Sequence, residues 1–347
     1  LREASEGNYR GHQKSQNHSA IAFCRIGVLV FSERGDVVRN FFMGVAISAL
    51  TFLSVAFIPF FGSFILIQSP LPILYYYSKN GRKQGASVFI VSLIAVAVVL
   101  KSFDLMANLP ILFVSGCLGI ILSEVLKKSY SIELTILFPV AVLLILWSSF
   151  ILYESAGSGI NPWSLIRNYI DRNIQDNIQL YARLEVPDET LNLIRENAGQ
   201  IADFFMNIFP SIALISATFA VWINILSGRE IFRRNALWYP DFGDLSCWKS
   251  PEKMVWLLIA SAGMLLIPVE WIRFTGLNLL ITCLFIYLLQ GLAIVGFFFK
   301  RKQVPRLLRM MFYFLIFAQQ YFTILIVAAG LFDLWVDFRK YVKPAAD

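Results

Sequence analysis

Charge and histidine are what this chain has least of. Only 15% of its 347 residues are Asp, Glu, Lys or Arg and 57% are hydrophobic, against roughly 25% and 45–50% in soluble domains. An apolar excess of that size cannot be hidden in one soluble core, and a lipid bilayer is the solvent that accommodates it. Both histidines, His12 and His18, fall in the polar start of the chain, so no apolar run has a histidine to offer a catalytic or metal centre. The four cysteines, Cys24, Cys117, Cys247 and Cys283, form no CxxC pair, and neither a zinc site nor a disulfide framework follows. No nucleophile has a base beside it and no carboxylates are paired at working distance, so the sequence predicts no enzyme, no cofactor and no metal. The formal charge of +7 would suit nucleic acid, yet the basic residues gather at the ends of apolar runs, where the positive-inside rule puts them. No nucleic-acid partner is expected.

What the chain does have is long apolar runs. They fall at about 40–60, 62–77, 85–100, 106–125 and 132–153, then 204–226, 254–269, 274–299 and 308–331. A run of about 20 residues spans the hydrocarbon at roughly 1.5 Å per residue. An all-helical, polytopic membrane bundle of eight or nine spans is therefore expected, with the lipid bilayer as its first partner. The second run is short and carries Gln68, Pro70 and Pro72, which predicts an irregular or broken segment. Basic clusters at Lys79–Lys83, Lys127–Lys128, Arg229–Arg234 and Lys300–Lys302 mark one side and predict a bacterial inner-membrane protein with a cytoplasmic N-terminus. The last run raises a conflict. One crossing from Lys300 puts the tail outside, whereas Arg339, Lys340 and Lys343 favour the inside. Either they are tolerated there or the ninth run turns back within the membrane.

Four sections follow from this patterning. Residues 1–36 are polar, without period, and expected to be disordered; 37–153 and 204–347 are two membrane halves; 154–203 is a polar interval between them. Within that interval Trp163, Ile166, Ile170, Ile174, Ile178 and Tyr181 recur every three or four positions, the stripe of an amphipathic helix. A second helix is expected from Pro187, with Asp188 and Glu189 in its first turn and the option of running unbroken into the next span. Pro210 is expected to kink that span rather than end it.

Polar groups at membrane depth are the candidate ligand-binding residues, because each is costly unless it faces a partner or cavity. They are Gln68, Asn224, Gln290, Gln319 and Gln320. Such amides either line a substrate path or bond neighbouring helices, at about 0.6 kcal/mol each. No carboxylate takes a central intramembrane position, which weakens proton-coupled transport. Asp333 and Asp337, four apart, would share one face of a continuing helix with Arg339 and Lys340 nearby. They either receive a partner or a cationic ligand, or are solvated at a membrane exit anchored by Trp335 and Tyr341.

Several stretches carry a resemblance: Phe209-Pro210 with its apolar run to Arg233-Arg234, Lys300-Arg301-Lys302 with Pro305, and Gly330-Leu331-Phe332-Asp333 through Phe338-Arg339-Lys340. With the proline-rich stretch from Pro59 to Pro72, they make the chain from about residue 37 onward resemble the YybS-like predicted bacterial membrane proteins, a family of unknown function. The N-terminal half of that family is similar to the substrate-capturing subunits of energy-coupling-factor vitamin transporters. That similarity implies a small-molecule site among the helices and a membrane-protein partner docked on small residues of the first span, here Gly44 and Ser48. Two functional readings result. One is a transport-related or small-molecule-binding protein with a cavity lined by Gln68, Gln290, Gln319 or Gln320. The other is a non-enzymatic scaffold or assembly factor for the cell envelope, working through the polar interval or the aromatic loop after Arg234.

Overall fold

Proline placement decides where the first helices break. In the computed structural model, which describes residues 37–58, 61–184 and 187–341, α1 covers Val37–Phe57 and a broken pair follows, α2 Gly62–Gln68 and α3 Pro70–Asn80. Residues 1–36 with their histidines and Cys24, Pro59 of the first span, Glu185 and Lys343 lie outside the described residues. Pro70 cannot donate to Leu66, and the Ser69 hydroxyl donates to the Leu66 carbonyl instead, at 2.8 Å. The expected irregularity of the second run is thus a one-residue break at Ser69.

Gly81, at φ +83°, joins α3 to α4 Arg82–Ser102, a turn that a side chain would strain. A 3-10 turn at Met106–Asn108 leads into α5 Leu109–Leu126. Then come α6 Ile132–Ser158, α7 Pro162–Arg183, α8 Asp188–Glu196 and α9 Ala198–Arg234. The chain closes with α10 Met254–Met264, α11 Glu270–Arg301, α12 Arg306–Ala318 and α13 Gln320–Val336, followed by a 3-10 turn at Phe338–Tyr341. Among the described residues there is no strand.

Six of these segments are long and apolar enough to cross a membrane, or seven if the bent pair α12 and α13 counts as one. The fold is therefore the expected polytopic helical bundle, and the expected runs that fall short do so for identifiable reasons. The second run is split at Ser69. The seventh stops at Met264 after 11 residues, about 16 Å of helix against a hydrocarbon core of about 30 Å, four residues before Pro268. Outward-facing Phe64, Ile94, Val98, Ile145 and Leu325 are each about 60% exposed, as lipid-facing positions are.

Two compact units interleave in sequence. Unit 1 takes Leu1–Tyr130 with Ala220–Pro240, and unit 2 takes Ser131–Phe219 with Asp241–Asp347. The division is not the one drawn from hydropathy at 37–153 and 204–347: α6 joins the later helices, and the end of α9 joins the earlier ones. The core of unit 1 gathers Phe52, Ile73, Tyr76, Val88, Phe89, Val96, Leu100 and Leu112. Gly119 lets α5 approach the α2–α3 break, since a Cβ there would stand 2.6 Å from the Pro70 carbonyl oxygen.

In unit 2 the amphipathic stripe of α7 is turned inward. Asn161 caps the helix by accepting from the Trp163 N–H at 2.8 Å, and Arg167 pairs with Asp203 of α9. Trp163 meets Phe274 of α11 edge to face, while Ile178 and, from α8, Leu191 are buried. Asn197 separates α8 from α9, so the second polar helix does not run unbroken into the span. α9 does pass through Pro210. There Asn278 accepts from the Ser211 N–H at 2.9 Å and donates to the Asn207 carbonyl at 2.8 Å, holding the rung that the proline disturbs.

The α12–α13 pair is bent by 99° at Gln319. After α13 the chain bonds back to the loop before α10, with the Arg339 guanidinium donating to the Trp248 carbonyl at 2.9 Å. That loop is in turn fixed to the Lys300 end of α11, through Lys300 and Asp244 at 2.6 Å. The described part of the basic tail thus bonds to the same loop as the Lys300 end of α11, the arrangement that a turn back of the ninth run would give.

Candidate functional site

Where a broken helix leaves backbone groups without partners, neighbouring side chains must supply them. In unit 1, Asn224 of α9 is fully buried and donates to the Ile67 carbonyl at 2.6 Å and to Ala220 at 2.8 Å. Gln68 donates to the Ser227 hydroxyl at 3.1 Å, and Ser69 bonds to Ser115. Gln68 and Asn224 thus come together beside the break: Asn224 supplies a donor to its backbone, while Gln68 Oε1 and Asn224 Oδ1 have no hydrogen-bond partner among the described residues.

Gly44 and Ser48 are also in unit 1, and the structure corrects the docking role given to them. Both are buried: a Cβ on Gly44 would stand 2.9 Å from the Tyr76 ring, and Ser48 is fully enclosed. Small residues at that spacing serve the chain's own packing of α1 against α3 and α4.

Gln319 and Gln320 are exposed at the bend between α12 and α13. The candidate amides are distributed between two polar clusters and one exposed bend.

Unit 2 holds the second cluster. α11 and α13 touch through backbone, because a Cβ on Gly330 would collide with the Tyr287 carbonyl and one on Gly291 with the Ile326 carbonyl. This close approach brings Gln290, fully buried, to Asp333, which is 1% exposed. The Gln290 amide donates to the Asp333 carboxylate at 3.2 Å, and its oxygen accepts from the Ser250 N–H at 3.2 Å and hydroxyl at 2.5 Å. Asp333 accepts further from the Phe338 N–H at 3.0 Å, with the Arg339 guanidinium 3.5 Å away. Arg339 is itself 9% exposed in its side chain.

The pair is thus enclosed, which corrects the reading of Asp333 as a solvated residue at a membrane exit. The helix ends at Val336 with Asp337 in a left-handed cap, so Asp333 and Asp337 do not continue along one face. Asp337 faces outward instead. Lys249 at 3.0 Å, together with Lys340, holds its carboxyl below the usual carboxylate range. Around the same loop the Trp248 indole donates to Glu133 at 2.9 Å. At Asp244, burial would raise the carboxyl, but the Lys300 ammonium and two hydrogen bonds from Ser246 outweigh it and hold the group at about 2.

The carboxylate of Asp333 is well supplied with donors. Donors in excess remain: Nε of Arg339 and the hydroxyl of the fully buried Tyr287, one turn before Gln290, have no hydrogen-bond partner among the described residues, while Nη1 of Arg339 faces Asp333 in the ion pair. A buried guanidinium with an unused donor suits a ligand that presents acceptor oxygens. The sequence pattern named Gln290 and Asp333, with Arg339 near the latter, and did not reveal Ser250, Trp248 and Tyr287 as members of this cluster. A signal existed only in the aromatic density of the loop after Arg234.

An all-helical, multi-pass membrane protein with a helix broken at Ser69, a pair bent at Gln319 and two buried polar clusters is the class these features define. Within it the chain belongs to the family described as predicted membrane protein (DUF2232), whose pattern matches residues 46–334. It is similar to the uncharacterized protein YybS of Bacillus subtilis (strain 168), at 23% identity over 307 residues, covering 86% of this chain and 96% of that protein. No solved structure matches.

Proposed function

We propose that this protein binds a small molecule, in a transport-related role, at the Asp333–Arg339–Gln290–Ser250 cluster of unit 2. The observation that carries the reading is the enclosed ion pair at the C-terminal end of α13. A buried ionisable pair is costly unless its partners or a ligand compensate it, and Arg339 carries a donor that no protein group among the described residues uses. The unused Arg339 and Tyr287 donors favour a ligand with a carboxylate, phosphate or carbonyl group. The protein carries out no covalent chemistry on that ligand. It works in the cytoplasmic membrane of a bacterium, with its N-terminus and basic clusters on the cytoplasmic side, a reading favoured by the charge pattern and by the bacterial relative. The resemblance to energy-coupling-factor subunits enters this reading only as the idea of a small-molecule site, since Gly44 and Ser48 are buried.

Purification in native lipid, followed by mass spectrometry of co-purifying small molecules, tests the proposal. The wild type is expected to release a compound that the double variant Asp333→Leu/Arg339→Leu lacks, and identical profiles would sink it. A second reading, an envelope scaffold or assembly factor, draws on the outer face of α7 and α8, where Tyr169, Leu184 and Leu193 are each exposed by 60% or more. Crosslinking from those positions that recovers one defined envelope protein, with no compound released, would favour it instead.

A further inference from the structure

A shallow groove of about 100 Å³ opens in unit 1 where the ends of α3, α5 and α9 meet. Ser78, Ser123 and Lys127 line one side, and Leu126, Phe232, Leu237 and Trp238 line the other. That volume equals the liquid share of about three waters, far below the ~300 Å³ of a drug-sized site, and suits one phosphate-sized group. We propose that it holds the phosphate headgroup of an anionic phospholipid, an inference independent of the unit 2 site.

The polar side has donors to give. Ser78 and Ser123 share one hydrogen bond of 2.6 Å, so one of their two hydroxyl hydrogens is left without an acceptor among the described residues. Lys127 bonds to Glu124 at 2.9 Å and stands 4.8 Å from the centre of the Tyr77 ring, which leaves a third ammonium hydrogen for a ligand. The surrounding charge is positive: Arg82, Lys127, Lys128, Arg233 and Arg234 outnumber Glu124 and Glu230. The apolar side separates a lipid from free phosphate. Leu126 and Phe232 are buried, Trp238 is 60% exposed at the lip, and such a wall gains nothing from a hydrated ion but packs against an acyl chain. The groove also sits at the ends of spanning helices, where headgroups lie.

The test uses the full-length protein in detergent with equimolar phosphatidylglycerol and phosphatidylcholine, read by native mass spectrometry with and without inorganic phosphate. One phosphatidylglycerol should be retained in preference. Lys127→Gln should lower its retention about fivefold, as expected from roughly 1 kcal/mol per basic residue near an anionic membrane. Trp238→Ala should lower it too, and both side chains are exposed enough to be changed without disturbing the core. Lys101→Gln, at the other end of α4, should leave retention unchanged. Equal retention of the two lipids, or wild-type retention in both groove variants, overturns the proposal. Displacement by millimolar inorganic phosphate also overturns it, by assigning the groove to the free ion.

Discussion

Replacing Asp333 by Asn strips the charge from an enclosed pair while keeping its shape. Breaking a buried ion pair by removing one partner costs about 3–5 kcal/mol, because the other charge is left uncompensated. The lower end applies here. Arg339 keeps its bond to the Trp248 carbonyl, and an Asn oxygen can still accept from the Phe338 N–H. A loss of about 3 kcal/mol, over a hundredfold in the folding equilibrium, is therefore expected from equilibrium unfolding in detergent followed by tryptophan fluorescence. The double variant Asp333→Leu/Arg339→Leu should recover most of it, since an apolar replacement of both charges is often neutral. It leaves the buried Gln290 amide short of a partner at about 1 kcal/mol, and the half-buried Phe338 N–H and Trp248 carbonyl at about 0.5 kcal/mol apiece, so recovery should reach within about 2 kcal/mol of wild type. A single variant costing under about 1 kcal/mol, or a double variant worse than the single, would refute the reasoning. If stability returns in the double variant while ligand retention does not, the pair is kept for binding rather than for holding the tail.

Other expectations follow from neighbouring features. Gly330→Ala should push α11 from α13 and cost about 1–3 kcal/mol in the same unfolding assay, whereas Gly157→Ala, with open space around it, should cost nothing. Asn224→Leu should cost about 1–3 kcal/mol by leaving the Ile67 carbonyl short of a donor beside the Ser69 break. Asp244 has its carboxyl lowered from an ordinary 3.8 to about 2, so its pairing stabilises the folded state above about pH 4. That contribution should fade as pH falls from about 4 to about 2, and Asp244→Asn should flatten the acid limb of a stability–pH curve across that window. In sealed vesicles, a membrane-impermeant maleimide should reach the exposed native Cys247 and a cysteine placed at Lys340 from the same side. Labelling from opposite sides would rule out the turn back.

The helices were legible because hydropathy and charge act locally. Pro70 and Pro72 announced the broken second run, Lys300–Lys302 the end of α11, and the spacing from Trp163 to Tyr181 the amphipathic α7. The partners of polar residues were not legible, because each is fixed by contacts far apart in sequence. Gln290 and Asp333 stand 43 positions apart and meet only because Gly291 and Gly330 let two backbones touch. Asp333 resembled a membrane exit because Asp337, Arg339 and Lys340 follow it. The left-handed turn at Asp337 folds Arg339 back over it, and no local pattern announces that turn. Gly44 and Ser48 show the same limit, since small residues at helical spacing favour close packing without saying whether the neighbour is the chain itself.

The most direct test of the central claim is an experimental map of the full-length protein in native lipid, resolved well enough to show non-protein density around Arg339. The account predicts a bound molecule with acceptor oxygens against Nε of Arg339, beside Gln290 and Asp333. Nε closed off by a protein group, with Arg339 and Asp333 in bidentate contact, would contradict it.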